Sequence, residues 1–397
     1  MPDHLDPSRR EFIAASALGI LGFANFGRGA GSRSDSELLY VGTYTEDKRT
    51  EGIFLVRFDT RSGELHLDRG VDAGPNPSFL AIHPNGRVLY AVNEVDQRNG
   101  KASGAVSAFA IASDTGTLTR INEQASEGGS PCYVSVDRSG RAVLVANYVG
   151  GSIAMLPIAR DGSLGAAIGV DQHRGKGPNA ERQEAPHAHC IVTEPWNHFA
   201  FATDLGLDTV FVYRIDVDGG ALTIVDDADG HVKAGAGPRH LAFHPQLPIV
   251  YVVNELDSTI TTFRLARGAG ALTPIATHST LPVGWTGSSF AADLHVAPSG
   301  RVLYTSNRGH NSIAVFSIDE SSGAPALEQT ISTGGDWPRN FTLDPTGRWL
   351  LVGNQNSGSI VVLARDEKTG KLSPTQQRIQ LPSPVCVRFR AHVGVTT

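Results

Sequence analysis

Hydrophobic and polar positions repeat along this chain in steps of roughly fifty residues. Each repeat has an apolar strand that opens at Pro or a small residue, a turn of the Asp/His-Pro-x-Gly-Arg type, and a second apolar strand that ends in Asn and a polar residue. Apolar segments of this length between turn signals are typical of β-strands. The repeats begin at Pro77, Pro131, Ala188, Pro238, Ala291 and Pro338, and the one at Ala188 is the most divergent.

A third alternating strand and a Gly-x-Leu-type hairpin follow each second strand, and this unit occurs seven times, once more than the opening strand. The first unit, LLYVGTY from Leu38, has no opening strand, and the chain ends on an unmatched strand, PVCVRFRAHV from Pro384. Repeats of about 40 to 50 residues with four short strands each are typical of a β-propeller. We therefore predict an all-β fold, a seven-bladed β-propeller whose ring is closed by the N- and C-terminal strands in one blade. A β-sandwich would need two sheets and no fixed period.

The N-terminal segment follows a different pattern. SRREFI from Ser8, with Arg9 and Arg10, precedes an Ala/Gly-rich apolar run, IAASALGILGFANFG. This arrangement is typical of a twin-arginine export signal. The sequence thus predicts a signal region over residues 1–34, one propeller domain over residues 35–397, and a periplasmic or otherwise exported location. The apolar run is too short for a comfortable membrane span, so we expect no stable span unless the signal stays uncleaved.

Composition narrows the class of protein only a little. The chain has 44 Gly and 22 Pro, which suit many tight turns. A formal net charge of −6 provides no basic stripe for nucleic acid or an anionic membrane surface. Three cysteines, Cys132, Cys190 and Cys386, lack metal-type spacing and are predicted to be buried thiols. No cofactor is indicated, the histidines fit no zinc motif, and the oligomeric state is left open.

Propeller geometry predicts where chemistry can lie. The first strand of a blade lines the central channel and the second runs back antiparallel to it, so the start of the first and the end of the second share one face. Aligned with Arg239 at the first-strand position are Ser78, Cys132, His189, Ala292, Arg339 and Val385. Aligned with Glu255 at the second-strand end are Tyr44, Glu94, Tyr148, Asp204, Arg308 and Gln355.

Departures from the repeat suggest function better than its shared features do. Asn recurs at the second-strand end in five blades, which indicates a structural role. His189, Arg239, Glu255 and Arg308 instead introduce groups that are costly to bury unpaired. A purely structural ion pair between Arg239 and Glu255 is the alternative interpretation.

Four stretches of the sequence are similar to one known family: PHAHC; GAGPRHLAFHP with VYVVNELDSTI; AADLHVAPSGRVLYTSNRG with NSIAVFSI; and WPRNFTLDPTGRWLLVGNQ. They resemble the propeller-type lactonases, which include bacterial propeller 6-phosphogluconolactonases and the fungal carboxymuconate lactonising enzyme. The resemblance covers essentially all of the chain after the export signal. It implies a catalytic or binding set at the channel mouth, carried over to His189, Arg239, Glu255 and Arg308. PHAH also offers His187, but His189 aligns with the rim position.

Hydrolysis of a cyclic ester suits these residue types. It needs a general base for water, stabilisation of the oxyanion and a proton for the leaving alkoxide. Glu255 or His189 is the candidate base, and the guanidinium groups of Arg239 and Arg308 suit an anion or the oxyanion. No Gly-x-Ser-x-Gly motif supports a covalent serine mechanism. We predict substrate contacts from His187, His240, Asp293, Arg339 and Asp204, which lie at or beside the rim positions.

The predicted function is therefore a 6-phosphogluconolactonase-like lactonase that acts on a small anionic or sugar-derived lactone. Export would separate the protein from phosphorylated sugar lactones of the cytoplasm, so an unphosphorylated aldonolactone, or a muconate-type cycloisomerase reaction, stays open. A non-catalytic binding or scaffold propeller is the other alternative. A scaffold would favour exposed apolar or aromatic rim residues over convergent Arg, Glu and His.

Overall fold

A computed structural model of the chain describes residues 36–45, 49–98 and 100–390. The predicted signal region, residues 1–34, lies outside the described residues. Within the described part, none of the chain forms a helix of the length and apolarity needed to cross a membrane.

The described residues form 29 strands in seven antiparallel sheets, as the alternation predicts. The first fifteen are β1 (Ser36–Thr43), β2 (Glu51–Asp59), β3 (Leu65–Asp72), β4 (Leu80–Ile82), β5 (Val88–Asn93), β6 (Ala105–Ile111), β7 (Leu118–Ala125), β8 (Pro131–Val136), β9 (Ala142–Asn147), β10 (Ser152–Pro157), β11 (Gly169–Gln172), β12 (Ala188–Thr193), β13 (Phe199–Asp204), β14 (Thr209–Asp216) and β15 (Ala221–Ile224). The others are β16 (Gly230–His231), β17 (Pro238–Phe243), β18 (Ile249–Asn254), β19 (Thr259–Leu265), β20 (Leu272–Ser279), β21 (Phe290–Val296), β22 (Val302–Arg308), β23 (Ser312–Ile318), β24 (Pro325–Ser332), β25 (Pro338–Leu343), β26 (Trp349–Asn354), β27 (Ser359–Arg365), β28 (Leu372–Gln380) and β29 (Pro384–Phe389).

Each sheet is one blade with its strands in chain order from the inside outwards, except the blade that joins the two ends of the chain. That blade has the order β29-β1-β2-β3, with Tyr40 opposite Arg388 and Gly42 opposite Cys386. The inner strands β29, β4, β8, β12, β17, β21 and β25 contact one another in a closed cycle. The seven-bladed ring and its closure by the terminal strands are thereby confirmed.

A repeated tyrosine ties neighbouring blades together. Tyr90, fully buried on β5, donates its hydroxyl hydrogen to the carbonyl of Gly162 in the next blade, at 3.0 Å. The same bond recurs between Tyr40 and Gly116, Tyr251 and Gly323, and Tyr304 and Gly370. Each phenol therefore buries its ring between blades while its polar end stays hydrogen-bonded.

The register at one end of the inner strands fixes which residues are equivalent between blades. The backbone N–H of Glu255 donates to Gly237 O at 2.7 Å, and Glu94, Tyr148 and Gln355 make the corresponding bonds. In the divergent blade this bond comes from Leu205, which donates to His187 O. Asp204 pairs with Ala188, as Asn254 pairs with Pro238. The predicted alignment of Asp204 with Glu255 was wrong by one residue, because the strand ending FATD has Asp where the other blades have Asn.

Two cavities lie along the inner strands. A cavity of about 10 Å³ is lined by Ser78, Glu94, Cys132, Arg239, His240 and Arg339, together with Phe79 and Val385. A larger cavity of about 290 Å³ is lined by residues of β4, β8 and β29, including Arg388. Phe79 borders both cavities, and its ring packs against Tyr133 and His240. Phe79 is therefore a wall shared by the two cavities.

Candidate functional site

The carboxylate of Glu255 binds three guanidinium groups. Its Oε2 lies 3.0 Å from Arg239 Nε and 2.8 Å from Arg308 Nη2, and its Oε1 accepts from Arg182 Nη2 at 2.7 Å. Glu255, Arg239 and Arg308 are each at most 5% exposed. The structure thus brings three of the four predicted catalytic residues into direct contact.

The electrostatics of this cluster hold Glu255 ionised. Burial alone would raise the pKa of its carboxyl group, but Arg308, Arg239 and Arg182 together lower that pKa well below its usual value. A carboxylate stabilised by three cations is a weak proton acceptor. Glu255 is therefore better suited to holding the guanidinium groups in place than to activating water.

Backbone carbonyls of β21 fix the two buried arginines. Arg239 Nη1 donates to Ala292 O at 2.5 Å, and Arg308 Nε donates to Phe290 O at 3.2 Å. The ring of Trp337 lies 5.5 Å from the Arg308 guanidinium carbon. Burial lowers the pKa of Arg308 to about 10 and also lowers that of Arg239. Both groups stay charged at neutral pH, held by contacts that occupy only part of their five N–H donors.

His189 lies beside this cluster as a neutral imidazole. It is buried, and its Nδ1 has no hydrogen-bond partner among the residues that the structure describes. Its ring centre is 5.3 Å from that of His240 and 5.6 Å from that of Tyr148. Burial first, and then the charge of Arg239, lowers the pKa of His189 well below its usual value. An unpaired, buried ring nitrogen is costly unless a ligand or water satisfies it.

His240 connects the arginine cluster to a buried carboxylate. Its Nε2 accepts from Arg239 Nη1 at 3.1 Å, which leaves Nδ1–H to donate to Asp293 Oδ1 at 2.8 Å. Burial and the neighbouring Arg239 charge lower the pKa of His240 to about 3. The other oxygen of Asp293, Oδ2, accepts a hydrogen bond from His295 Nε2 at 3.0 Å and another from the side-chain amide of Asn340. His240 and Asp293 therefore support Arg239 from behind.

Arg339 lies at the same end of the ring as Arg239 and Arg308 but has different contacts. Its guanidinium carbon lies 5.4 Å from the Tyr44 ring centre, and it borders the small cavity. Within the described ranges, no hydrogen bond or ion pair of its guanidinium group is found, in contrast to Arg239 and Arg308. Its donors are thus available to an anionic ligand.

A second carboxylate, Glu94, lies at this end of the ring. Tyr44 Oη is 3.1 Å from both of its oxygens, and Ser78 Oγ donates to Oε2. Burial raises the pKa of Glu94, although Arg339, Ser78 and Tyr44 oppose that shift. Sequence alignment had placed Glu94 at the rim but gave no reason to single it out.

His187 and Asp204 have structural partners. His187 Nδ1–H donates to Tyr148 O at 3.0 Å, its Nε2 faces Glu184, and its ring stacks on Tyr148. Asp204 accepts from the backbone N–H of His187 at 2.8 Å and lies 2.6 Å from His173 Nδ1. These contacts occupy both predicted substrate-binding residues with partners inside the protein, His187 just before β12 and Asp204 at the end of β13.

Arg182 is the site residue that sequence reasoning missed altogether. It contacts Glu255 and also donates to the Tyr148 hydroxyl at 3.2 Å. It lies in the segment between β11 and β12, outside the repeat, so no comparison between blades could identify it. The three cysteines are free and buried, as predicted. Across the described ranges, no group of three His, Cys, Asp or Glu residues is arranged to hold a metal ion.

The ring and this cationic site together define a β-propeller with enzyme-like polar groups at one end of its inner strands. The sequence matches the family model described as lactonase, 7-bladed beta-propeller, over residues 38–389. The chain belongs to this seven-bladed lactonase family, which confirms the resemblance seen in the sequence.

Characterised relatives and solved structures agree with that assignment. The chain is 38% identical over 351 residues to the 6-phosphogluconolactonase of Bacillus subtilis, covering 88% of this chain and 97% of that protein. It is 36% identical over 307 residues to the 6-phosphogluconolactonase of Formosa agariphila, covering 76% and 85%. The periplasmic gluconolactonase PpgL of Pseudomonas aeruginosa superimposes with a TM-score of 0.84 at 35% identity, over 90% of this chain and 99% of that chain.

Proposed function

We propose that this protein is a lactonase that hydrolyses a sugar-derived lactone at the channel mouth defined by His189, Arg239, Glu255 and Arg308. The observation that carries this proposal is the convergence of Arg239 and Arg308 on one oxygen of Glu255, at 3.0 and 2.8 Å. Two fixed, desolvated guanidinium groups at one point are suited to stabilising the oxyanion of a tetrahedral intermediate. Membership of the lactonase family supports the same reaction class.

His189 is the proposed general base. Its imidazole is neutral and buried, and its Nδ1 is unpaired within the described part of the chain, so it can accept a proton from the attacking water. Glu255, the other candidate from the sequence, serves instead to orient Arg182, Arg239 and Arg308. A water deprotonated by His189 would then attack the lactone carbonyl while the arginines stabilise the developing charge.

Arg339 is the proposed contact for an anionic or strongly polar group of the substrate. Its guanidinium is unpaired within the described residues and borders the small cavity. Arg can bind a phosphate or carboxylate through two parallel N–H bonds. The polar lining of the mouth favours an enzyme over a non-catalytic scaffold, which would present apolar rim residues.

We also propose export by the twin-arginine route. Arg9 and Arg10 before a weakly hydrophobic run support it, as does similarity to a gluconolactonase described as periplasmic. Export would favour an unphosphorylated aldonolactone such as gluconolactone over its 6-phosphorylated form. Arg339 would then bind a sugar hydroxyl or the carboxylate of the product.

The deciding experiment is a lactone panel with the mature protein. It should include gluconolactone, 6-phosphogluconolactone, uncharged alkyl lactones and a muconolactone, with acid release followed directly. We expect hydrolysis of at least one sugar lactone and its loss in His189→Gln. Absence of hydrolysis across the panel, or activity with muconolactone alone, would contradict the proposal.

A further inference from the structure

We propose that Glu94 is the general acid of this site and gives its proton to the ring oxygen of the lactone as the ester bond breaks. The inference rests on the proposed function, because it assigns the proton transfer to the ring oxygen, for which Arg239 and Arg308 provide no acid. It concerns a residue outside the His, Arg, Glu and Arg set considered above.

The position of Glu94 suits this role. Glu94 and Arg239 both line the cavity of about 10 Å³, which is about the volume that one water molecule requires. They belong to different blades, so the cavity spans the channel between them. A substrate atom in that space would contact the Glu94 carboxyl on one side and the guanidinium of Arg239 on the other.

The surroundings of Glu94 favour the protonated form more than those of Glu255 do. Hydroxyl groups of Ser78 and Tyr44 contact its oxygens, and no ion pair with Glu94 is found among the described residues. The titratable or charged groups that face it are Tyr44, Cys132, Arg239 and Arg339. Burial raises the pKa of Glu94, whereas three direct guanidinium contacts lower the pKa of Glu255. Two carboxyl groups with opposite shifts are typical of an acid and its ionised partner in one site.

The neighbouring hydroxyl and thiol cannot easily replace Glu94. Burial raises the pKa values of Tyr44 and Cys132, so both are weaker acids than usual. His240 stays neutral because burial lowers its pKa, so it supplies no imidazolium proton. His189 becomes an imidazolium when it takes the proton from water, but it is not among the residues that line the cavity beside Glu94. A protonated carboxyl group is therefore the strongest acid that borders the cavity.

The proposed step balances as follows. Neutral His189 takes one proton from water while the water oxygen forms a bond to the acyl carbon. As the tetrahedral intermediate collapses, the bond from acyl carbon to ring oxygen breaks, its electron pair stays on the ring oxygen, and Glu94 transfers its proton there. The products are one hydroxyl group and one carboxylic acid, which ionises. His189 releases its proton and Glu94 regains one from solvent, so each turnover consumes one water and releases one proton.

Dependence on the leaving group tests the acid directly. An alkoxide needs protonation as it leaves, whereas a phenolate is stable enough to leave without it. Glu94→Gln should lower kcat by about 10²-fold or more for an alkyl lactone, and by far less for a phenolic lactone such as dihydrocoumarin. In the unmodified protein, kcat for the alkyl lactone should fall as pH rises through the raised pKa of Glu94. Tyr44→Phe removes a bond that favours the carboxylate and should move this fall to higher pH.

An infrared measurement tests the protonation state without any substrate. The difference spectrum between the unmodified protein and Glu94→Gln, followed as pH is raised, should contain the carbonyl band of one carboxyl group that stays protonated to a higher pH than an exposed glutamic acid does. Glu255→Gln should leave that band in place, and Glu328→Gln, which alters an exposed residue on the outer strand β24, should change neither the band nor kcat.

A carboxyl band that is lost at the pH typical of an exposed glutamic acid would overturn the assignment, as would an equal loss of rate for alkyl and phenolic lactones. Either result would leave the lactonase proposal intact. Absence of activity in the unmodified protein would instead contradict the proposed function itself.

Discussion

Glu94 and Glu255 occupy the same register position in two blades, but the pKa values of their carboxyl groups are shifted in opposite directions. The backbone N–H of each donates to the residue before the Pro that opens its repeat, Asn76 O at 3.0 Å and Gly237 O at 2.7 Å. Glu255 contacts three guanidinium groups, whereas Glu94 contacts two hydroxyl groups. The repeat therefore supplies equivalent positions, and the residues around them give each carboxyl group its own chemistry.

Glu255→Gln should lower both the stability of the protein and its turnover. Removing one partner of a buried ion pair leaves the other charge uncompensated, at a cost of about 3 kcal/mol or more. Displacement of Arg239 and Arg308 should also lower turnover by about 10²-fold, the usual scale for loss of a fixed oxyanion contact. Urea unfolding and kcat on the same preparations measure both effects.

The pH dependence of that loss has a definite sign. The folded pKa of Glu255 is lowered, so its contribution is complete above the unfolded value of about 4.3 and disappears as pH falls towards the folded value. Glu255→Gln should lose stability at pH 7 and very little at low pH. Glu123→Gln breaks the less buried pair with Arg98 and should cost about 1 kcal/mol or less. Unchanged stability of Glu255→Gln would contradict the structural role of its carboxylate.

His240 should make the protein sensitive to mild acid. Its pKa is about 3 in the folded state and about 6.5 when unfolded. Between these values only the unfolded chain binds the proton, so stability falls as pH decreases, by up to about 1.4 kcal/mol per pH unit. His240→Gln should flatten the decline in unfolding free energy between pH 6.5 and 5. His66→Gln, at an exposed position, should leave the dependence of unfolding free energy on pH unchanged. If the two variants show the same dependence, His240 is not its cause.

Closure of the ring by β29 should be essential for folding. Its Val385, Cys386 and Val387 are buried, and the strand pairs with β1 from Leu39 to Thr43. Truncation before Pro384 should expose the edge of β1 and abolish the cooperative thermal transition. Truncation after Arg390 keeps the whole of β29 and should preserve it. A cooperative transition at the original temperature in the shorter protein would show that the closing strand is dispensable.

The twin-arginine pattern predicts a simple export phenotype. Replacing Arg9 and Arg10 by Lys together should leave the precursor in the cytoplasm, because the arginine pair is the feature on which this assignment rests. Cell fractionation with an antibody to the folded domain measures the distribution. Arg28→Lys, beyond the apolar run, is the matched control and should be exported normally. Normal export of the double variant would remove the reason for preferring an unphosphorylated substrate.

The sequence predicted the fold well because each blade repeats the same alternation and the same strand-end Asn. Six of the seven positions aligned at the second-strand end agree with the observed register; Asp204 does not, since it takes the Asn position of its blade. The candidate site was harder to predict. Arg182 comes from a segment between blades, so the repeat gives no information about it. Glu94 was visible as a polar rim residue. What distinguishes it from Glu255 is the contacts from Ser78 and Tyr44 and the lack of an ion pair with any described residue.

Arg339 should control the preference for charged lactones. Its guanidinium borders the small cavity and has no ion pair within the described part of the chain, so Arg339→Gln removes the cation that is available to a ligand. A hydrogen bond to a charged group contributes about 1.5–3 kcal/mol, which corresponds to an increase in KM of roughly tenfold or more for a phosphorylated or carboxylated lactone. KM for a neutral lactone of the same ring size should change by much less, and kcat should change little for either. Arg301→Gln, on a turn at the opposite end of the blade and paired with the exposed Glu320, should leave both KM values unchanged. An equal effect of Arg339→Gln on charged and neutral lactones would mean that Arg339 shapes the mouth without binding the anion.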